Sequence, residues 1–220
     1  YRSLPYDPLK DFAPVSLVVS TPHMLVVHPS VGVKSVRELI AAAQAKPGAI
    51  NYASAGSGTA AHIAAELFKA GARVDLTHVP YKGVSGALND TVAGTVGVMF
   101  PAPLLALAQV KAGKLIALAV TSRERSTLLP DLPTLSESGL TGYEFGSWYG
   151  LLAPRDTPPA IVRQLQGSAK QALGTKEILA RLALDAAEPV GSTPEEFRKY
   201  MAEEIDRYAK LVKQLGLKAE

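Results

Sequence analysis

A cluster of small polar residues and glycines stands where a predicted strand ends and a predicted helix begins. It consists of Ser54, Ala55, Gly56, Ser57, Gly58 and Thr59, and we call it the glycine loop. The first N–H groups of an α-helix have no acceptor within the helix and carry partial positive charge, and glycine lets a bound group approach the backbone closely. The glycine loop is therefore suited to bind an anion, most simply a carboxylate or a phosphate.

Other kinds of site require residues that the glycine loop contains only in part. Gly56-x-Gly58-x-x-Ala61 fits the dinucleotide fingerprint, but Asp75, at nearly the required distance, starts the next predicted strand and would point away from a bound ribose. A phosphate loop needs a lysine after its glycine, and a nucleophile elbow needs G-x-S-x-G. Small-anion binding is the leading hypothesis, NAD-type nucleotide binding by an α/β enzyme is the alternative, and tight helix–strand packing is the purely structural explanation.

Aromatic residues are predicted to border the same site. Tyr81 and Phe100 each follow a predicted strand, and the carboxyl ends of parallel strands gather at one crevice. Trp148, after a long irregular connection, would border this cleft or pack in the core. Lys82 would add positive charge there or is a solvated loop residue. His62, one turn into the helix, orients a ligand or, more simply, packs.

The composition excludes several classes of protein. The 220 residues include no cysteine, which removes disulfides, thiolate metal sites and cysteine nucleophiles. The four histidines lack metal-ligand spacing, and no acid–base pair stands out, so we expect no catalytic residues, no metal and no cofactor. The net charge is only +3 with the basic residues dispersed, which disfavours nucleic-acid binding. The start at Tyr1 suggests a processed or truncated product.

The elements that must position these residues alternate regularly. Residues 49–120 follow the order β-α-β-α-β-α-β, which predicts a mainly parallel sheet covered by helices. An irregular stretch over 121–147 separates this region from a strand and three further helices. The last helix has the clearest start, because Thr193-Pro194-Glu195-Glu196 combines an N-cap, a proline at the first helical position and a capping-box glutamate.

Blocks of residues with the order and spacing of one family run through the whole chain. They are Leu4–Pro8 with Asp11 and Phe12, Tyr52–Thr59 with His62, Val79–Gly83, Val98–Phe100, Lys111–Leu115 with Ala117–Thr121, Leu132–Thr134, Ser147–Pro154 and Glu188–Gly191. In these blocks the sequence resembles the Bug (TctC-like) family, the periplasmic substrate-binding proteins of tripartite tricarboxylate transporters.

The resemblance implies a two-lobed, periplasmic-binding-protein-like α/β fold with mainly parallel sheets, which closes on its ligand. Residues 1–29 and 147–220 would form the first lobe, and residues 30–146 the second, carboxylate-binding lobe. The family begins with a further N-terminal stretch that furnishes the other half of the site. The first lobe is therefore expected to be incomplete in this chain.

The function implied by the resemblance is that of a monomeric periplasmic receptor, which delivers a small carboxylate to a membrane permease without catalysis. Contacts to the carboxylate would come from the glycine loop, through Ser54, Gly56, Ser57, Gly58 and Thr59. Tyr81, Phe100 and Trp148 would shape the cleft. Many relatives carry an aspartate where Gly97 stands and often a polar residue where Pro101 stands. This difference predicts a missing polar contact and a less polar or aromatic carboxylate.

Overall fold

The computed structural model describes residues 5–184 and 186–216. The chain divides into two compact units, which we call the central unit (residues 22–147) and the terminal unit (residues 1–21 and 148–220). The predicted division after residue 29 differs from the observed one after residue 21, because residues 24–27 pair with strands of the central unit. Residues 1–4, 185 and 217–220 of the predicted first lobe lie outside the described residues. The assignment of the units to ligand-binding lobes stays a prediction.

Strands and helices alternate through most of the chain. In order they are β1 (Phe12–Pro22), β2 (Met24–Val27), a 3-10 turn (Pro29–Val31), α1 (Val36–Ala45), β3 (Asn51–Ser54), α2 (Ala60–Ala72), β4 (Thr77–Pro80), α3 (Val84–Val92), β5 (Val98–Met99), α4 (Pro103–Lys111), β6 (Ile116–Val120), β7 (Gly146–Pro154), α5 (Pro159–Leu173), α6 (Lys176–Ala183), β8 (Glu188–Pro189) and α7 (Pro194–Leu215).

The sheet of the central unit has the strand order β4-β3-β5-β2-β6. β3 pairs in parallel with β4 and with β5, whereas β2 is antiparallel to both β5 and β6. Four of the five strands therefore share one direction, and the predicted parallel α/β arrangement is confirmed for this unit. The carboxyl ends of β3, β4 and β5 lie at one edge of the sheet, and α2, α3 and α4 begin just beyond that edge.

The core of the central unit is built on strands that are apolar on both faces. Every residue of β2 is buried, as expected of a strand in the interior of a sheet. The buried cluster around this sheet consists of Met24, Val26, Ala53, Ala87, Val96, Met99, Ala106 and Leu115. This packing fixes the strands, and with them the points at which α2, α3 and α4 begin.

The helix that follows the glycine loop continues past a glycine. Gly71 lies within α2, which ends at Ala72. Arg73 then adopts the left-handed conformation with a φ of 54°, and its N–H donates to the carbonyl of Lys69. The left-handed cap is thus supplied by Arg73, a residue type that adopts this conformation less readily than glycine.

The terminal unit has a three-stranded sheet in the order β7-β1-β8. β1 and β8 are antiparallel, so the mainly parallel arrangement holds for the central sheet and not for this pair. The predicted start of α7 is confirmed: Thr193 Oγ1 accepts from the Glu196 N–H, and Glu196 Oε2 accepts from the Thr193 N–H. Phe197, one turn into α7, packs with Leu17 and Met201 in the core of this unit.

Candidate anion-binding site

The glycine loop connects β3 to α2 at the carboxyl edge of the central sheet. Ser54 is the last residue of β3, and Thr59 is the N-cap of α2. The Thr59 side chain does not cap the helix, because its hydroxyl donates to the Gly56 carbonyl over 2.7 Å. The N-cap side chain, which usually accepts a hydrogen bond from an N–H group in the first helical turn, therefore provides no acceptor at the start of α2.

The other two helices that begin at this edge are also uncapped. Gly83 precedes α3 and Ala102 precedes α4, and neither residue makes a side-chain cap hydrogen bond. Elsewhere, Ser35, Thr175 and Thr193 cap α1, α6 and α7, whereas α5 also begins without a side-chain cap. Orphan N–H groups at a helix start can be satisfied by water or by a ligand, and the partial positive charge there favours an anion.

The two loop glycines adopt conformations that other residues rarely take. Gly56 has a φ of 130°, and a Cβ atom built on it would lie 3.4 Å from the Tyr81 carbonyl oxygen. Gly58 has a φ of 76°, in the left-handed region. Both values favour glycine strongly, so these positions set the path of the backbone around the start of α2.

Ser54 holds the loop from inside. Its side chain is fully buried, and its Oγ lies 2.7 Å from Nε2 of His78. The same Oγ accepts from the Gly56 N–H over 3.1 Å, and the Ser54 carbonyl accepts from the Tyr81 N–H over 2.9 Å. The Ser54 hydroxyl therefore organises the loop, whereas sequence reasoning expected it to face the ligand.

The tip of the glycine loop is exposed at Ser57 and Gly58. The Gly58 N–H turns back to the helix and donates to Nδ1 of His62 over 2.9 Å. Of the three predicted hydroxyl donors, Ser57 is the one with an exposed side chain. Contact between these residues and a carboxylate stays a prediction, and within it Ser57 is the best-placed side chain.

The two aromatic residues predicted at this edge have different surroundings. Tyr81 is half-buried, and its hydroxyl donates to Asp90 Oδ2 over 2.6 Å. Burial and this hydrogen bond raise the pKa of the Tyr81 hydroxyl to about 12. Phe100 is fully buried with its ring 5.8 Å from that of Phe68, so the ring belongs to the core and not to a cleft wall.

Trp148 belongs to the terminal unit and packs within it. Its indole N–H donates to Glu204 Oε2 over 3.1 Å. Its ring meets those of Phe197 and Tyr200 edge to face, with centroids 5.8 Å and 5.6 Å away. The core packing that sequence analysis left open for Trp148 is thus present, and its role at a ligand stays a prediction.

Three stacked rings underlie the glycine loop, an arrangement that sequence analysis missed. His78 lies between Tyr52 and His62, with centroid distances of 4.8 Å and 4.2 Å and nearly parallel planes. Tyr52 and His78 are register partners on β3 and β4. The signal for His62 was its place one turn into α2, but no sequence pattern shows that it meets the other two rings.

A carboxylate and an ammonium group close this network on the helix side. The Tyr52 hydroxyl donates to Glu66 Oε1 over 2.6 Å, and Lys69 Nζ donates to the same oxygen over 2.9 Å. Burial would raise the pKa of the Glu66 carboxyl, but the hydrogen bonds from Tyr52 and Lys69 outweigh it and hold this pKa below its ordinary value. Burial and the Glu66 carboxylate raise the pKa of the Tyr52 hydroxyl.

Both imidazoles are neutral at neutral pH. Burial is the main cause that lowers the pKa of His62, and Lys69 contributes in the same direction. Burial, followed by the charge of a protonated His62, lowers the pKa of His78 to about 4. The rings beneath the loop therefore act as uncharged hydrogen-bonding groups near pH 7.

Two predicted features lie at the opposite, amino end of the parallel strands. Asp75 precedes β4, is exposed and lies 3.9 Å from Lys69 Nζ, which removes the acid that a ribose would need beside the glycine loop. Gly97 precedes β5, and its N–H donates to Asn51 Oδ1 at the start of β3. The expectation that Gly97 marks a missing ligand contact was therefore wrong, because this residue is at the other edge of the sheet.

Over residues 5–184 and 186–216, no group of histidine, aspartate or glutamate side chains has an arrangement that would hold a metal ion. No helix in the same ranges is long and apolar enough to cross a bilayer.

Comparisons with known proteins identify the family. Residues 1–217 match the family described as "Tripartite tricarboxylate transporter family receptor" (TctC). The UPF0065 protein in the tcbD-tcbE intergenic region of Pseudomonas sp. (strain P51) is 36% identical over 220 residues, which are 100% of this chain and 66% of that protein. The chain thus spans slightly less than two thirds of this relative.

Solved structures of similar proteins have the same fold as this chain. R. palustris Rpa4515 with adipate superposes with a TM-score of 0.86 at 36% identity, over 99% of this chain and 73% of that one. MatC (Rpa3494) from Rhodopseudomonas palustris with bound malate gives a TM-score of 0.79 at 32% identity, over 96% and 72%. The resemblance to the Bug and TctC proteins is confirmed, and this chain belongs to the tripartite tricarboxylate transporter receptor (TctC) family.

Proposed function

We propose that this chain is the carboxylate-binding part of a periplasmic solute receptor, and that the carboxylate binds at the carboxyl edge of the central sheet. The observation that carries the proposal is the set of three helices, α2, α3 and α4, that begin there without side-chain caps. Each helix start carries about half a positive charge, so the three together favour an anion.

The connections that form this edge add no negative charge that would repel a carboxylate. Residues 54–59, 81–83 and 100–102 contain one lysine, Lys82, and no acidic residue. Asp90 accepts a hydrogen bond from Tyr81, and Glu66 is paired with Lys69. Fixed dipoles and backbone donors that need no rearrangement are a favourable environment for a carboxylate group.

The family and its ligand-bound members narrow the ligand class. Rpa4515 is described with adipate and MatC with malate, and both ligands are dicarboxylates. We propose a small dicarboxylate for this protein as well. The receptor would carry it through the periplasm to a membrane permease and would catalyse no reaction, as the family assignment implies.

Within the proposed site the residues have different roles. Ser57 and the first-turn N–H groups of α2 contact the carboxylate, while Gly56 and Gly58 shape the backbone that presents them. The hydroxyls of Ser54 and Thr59 hold the loop through their internal hydrogen bonds. Tyr81 flanks the site, the contact of Trp148 with the ligand stays a prediction, and the Phe100 ring is left out because it is buried.

Isothermal titration of the whole encoded protein with acetate, malate, adipate and citrate tests this proposal. We expect a dicarboxylate to bind, and a Ser57→Asp variant to weaken binding about tenfold or more, since two like charges a few ångströms apart repel by about 1–4 kcal/mol at the dielectric of a protein surface. The matched control is Ser57→Asn, which has the same shape without the charge. An acidic residue near the start of α2 does not destabilise the helix, so the loss would not reflect unfolding.

The alternative function makes a different prediction in the same experiment. A nucleotide-binding enzyme would bind NADH and would bind none of the carboxylates. Equal affinity of the Ser57→Asp and Ser57→Asn variants for a bound dicarboxylate would place the ligand elsewhere and refute the proposed site.

A further inference from the structure

We propose that His62 is a positioning residue for the glycine loop. As a neutral imidazole, it accepts a hydrogen bond from the Gly58 N–H and holds the loop in its carboxylate-binding conformation. Protonation of His62 releases both the loop and the ligand. The inference rests on the proposed function for its effect on binding. Its structural part, the state of the imidazole and of the loop, can be tested without a ligand.

The hydrogen bond at Gly58 defines the protonation state of His62. A backbone N–H can only donate, so Nδ1 at 2.9 Å must carry a lone pair. The proton of the neutral ring is then on Nε2. In a doubly protonated ring, Nδ1 is also a donor and would face the Gly58 N–H, which would then lose its acceptor.

The position of this bond explains why it would control the loop. Gly58 is exposed at the tip and has a left-handed φ of 76°, whereas His62 is 7% exposed on the first turn of α2. The bond therefore ties the exposed tip of the glycine loop to a buried side chain. At the other end of the loop, Ser54 Oγ meets His78, so both ends are held by the same pair of stacked imidazoles.

The charges that face the imidazole pair are few and mutually compensated. From β3 comes Tyr52, and from α2 come Glu66 and Lys69, with Asp75 before β4 near Lys69. The Glu66 carboxylate would favour a protonated histidine, but Tyr52 and Lys69 already bind its Oε1.

The two imidazole rings also limit each other's charge. Their centroids are only 4.2 Å apart, so a charge on one opposes a charge on the other, and proton uptake belongs to the pair. Burial holds the pKa of His62 below its ordinary value of about 6.5, which places its protonation on the acidic side of neutrality.

Two substitutions distinguish the contribution of the His62–Gly58 hydrogen bond from that of ring packing on His78. His62→Asn keeps an acceptor near the position of Nδ1 and cannot titrate. His62→Phe keeps a flat ring against His78 and removes the acceptor. A lost neutral hydrogen bond corresponds to a change of about 2- to 10-fold in an equilibrium constant, so we expect His62→Phe to weaken adipate or malate binding by this factor at pH 7.5. His62→Asn should bind within about twofold of the parent protein.

The pH dependence of ligand affinity distinguishes this role from a purely structural one, which would not change it. Adipate and malate themselves titrate, so the relevant quantity is the ratio of affinities of the parent protein and His62→Asn. It is measured from pH 8 down to the pH at which the imidazole ¹⁵N shifts show that His62 is protonated. We expect the parent to lose affinity relative to His62→Asn as the pH falls, by about tenfold at complete protonation. A constant ratio, or a His62→Phe variant with the parent's affinity and pH profile, would overturn the proposal.

A ligand-free NMR experiment on the parent protein separates this inference from the proposed function. Imidazole ¹⁵N shifts should show His62 as the Nε2–H tautomer, and the Gly58 amide resonance should shift with the same midpoint as His62 protonation. If neither dicarboxylate binds, the proposed function fails while these spectra still decide the loop contact. An Nδ1–H tautomer, or a Gly58 amide that does not follow His62, refutes the contact itself.

Discussion

Removal of the Tyr52 hydroxyl is the most direct probe of the network beneath the glycine loop. The Tyr52→Phe substitution keeps the ring, its stack on His78 and its burial, so it creates no cavity. It deletes only the donor of the 2.6 Å hydrogen bond to Glu66. The free energy of unfolding should therefore fall by the contribution of this single bond.

The structure sets the size of that contribution. A hydrogen bond to a charged group contributes about 1.5–3 kcal/mol. Tyr52 is fully buried, but the Glu66 side chain is 17% exposed and keeps its bond to Lys69, so part of the loss is compensated. We expect Tyr52→Phe to lower the free energy of unfolding by about 2 kcal/mol.

The matched control is Tyr81→Phe. Its hydroxyl donates to Asp90 over the same 2.6 Å, but both residues are half-buried and water can replace the lost partner. We expect a loss of about 1 kcal/mol or less for this variant. Similar losses in the two variants would mean that burial of the Tyr52–Glu66 bond adds no stability.

Urea unfolding at pH 7.5, followed by far-UV circular dichroism, measures these differences. Trp148 is the single tryptophan and lies in the terminal unit, so its fluorescence should respond less to Tyr52→Phe than the ellipticity does. A double-mutant cycle with Glu66→Gln isolates the pair. A coupling free energy below about 0.5 kcal/mol would refute the reasoning, because residues joined by a buried bond are expected to couple more strongly.

Two further predictions concern other parts of the molecule. The pKa of His78 is lowered to about 4, so the unfolded state binds more protons than the folded state between pH 6.5 and pH 4. The free energy of unfolding should therefore fall by at most about 3 kcal/mol as the pH is lowered through this window. Urea titrations that gave the same dependence of this free energy on pH for the parent protein and a His78→Gln variant would contradict the prediction. A Cβ atom on Gly150 would lie 2.0 Å from Phe197 Cζ, so Gly150→Ala should cost about 1–3 kcal/mol through overpacking. In a Phe197→Leu background the cost of Gly150→Ala should shrink, and an unchanged cost would contradict the assigned clash.

Local signals in the sequence were sufficient for the beginnings of elements. Thr193 and Glu196 start α7 through a capping box that involves residues three positions apart. The glycine loop was placed correctly between strand and helix because its small residues interrupt two periodic apolar patterns. Family membership was also readable, since it depends on the order and spacing of short blocks along the chain.

Tertiary structure alone decided which side chains meet. The pairing of β3 with β4 puts Tyr52 beside His78, and the packing of α2 brings His62 onto the same stack. Strand direction and register also place Gly97 at the edge away from the glycine loop, and β2 in the central unit.

The physical reason is the range over which each interaction acts. Caps and turns are made by residues a few positions apart, so the sequence by itself determined the position of the glycine loop and the family. The protonation state of His62, the internal role of Ser54 and the burial of Phe100 depend on residues that are distant in the chain. These features are fixed only when strand order, register and helix packing are set together.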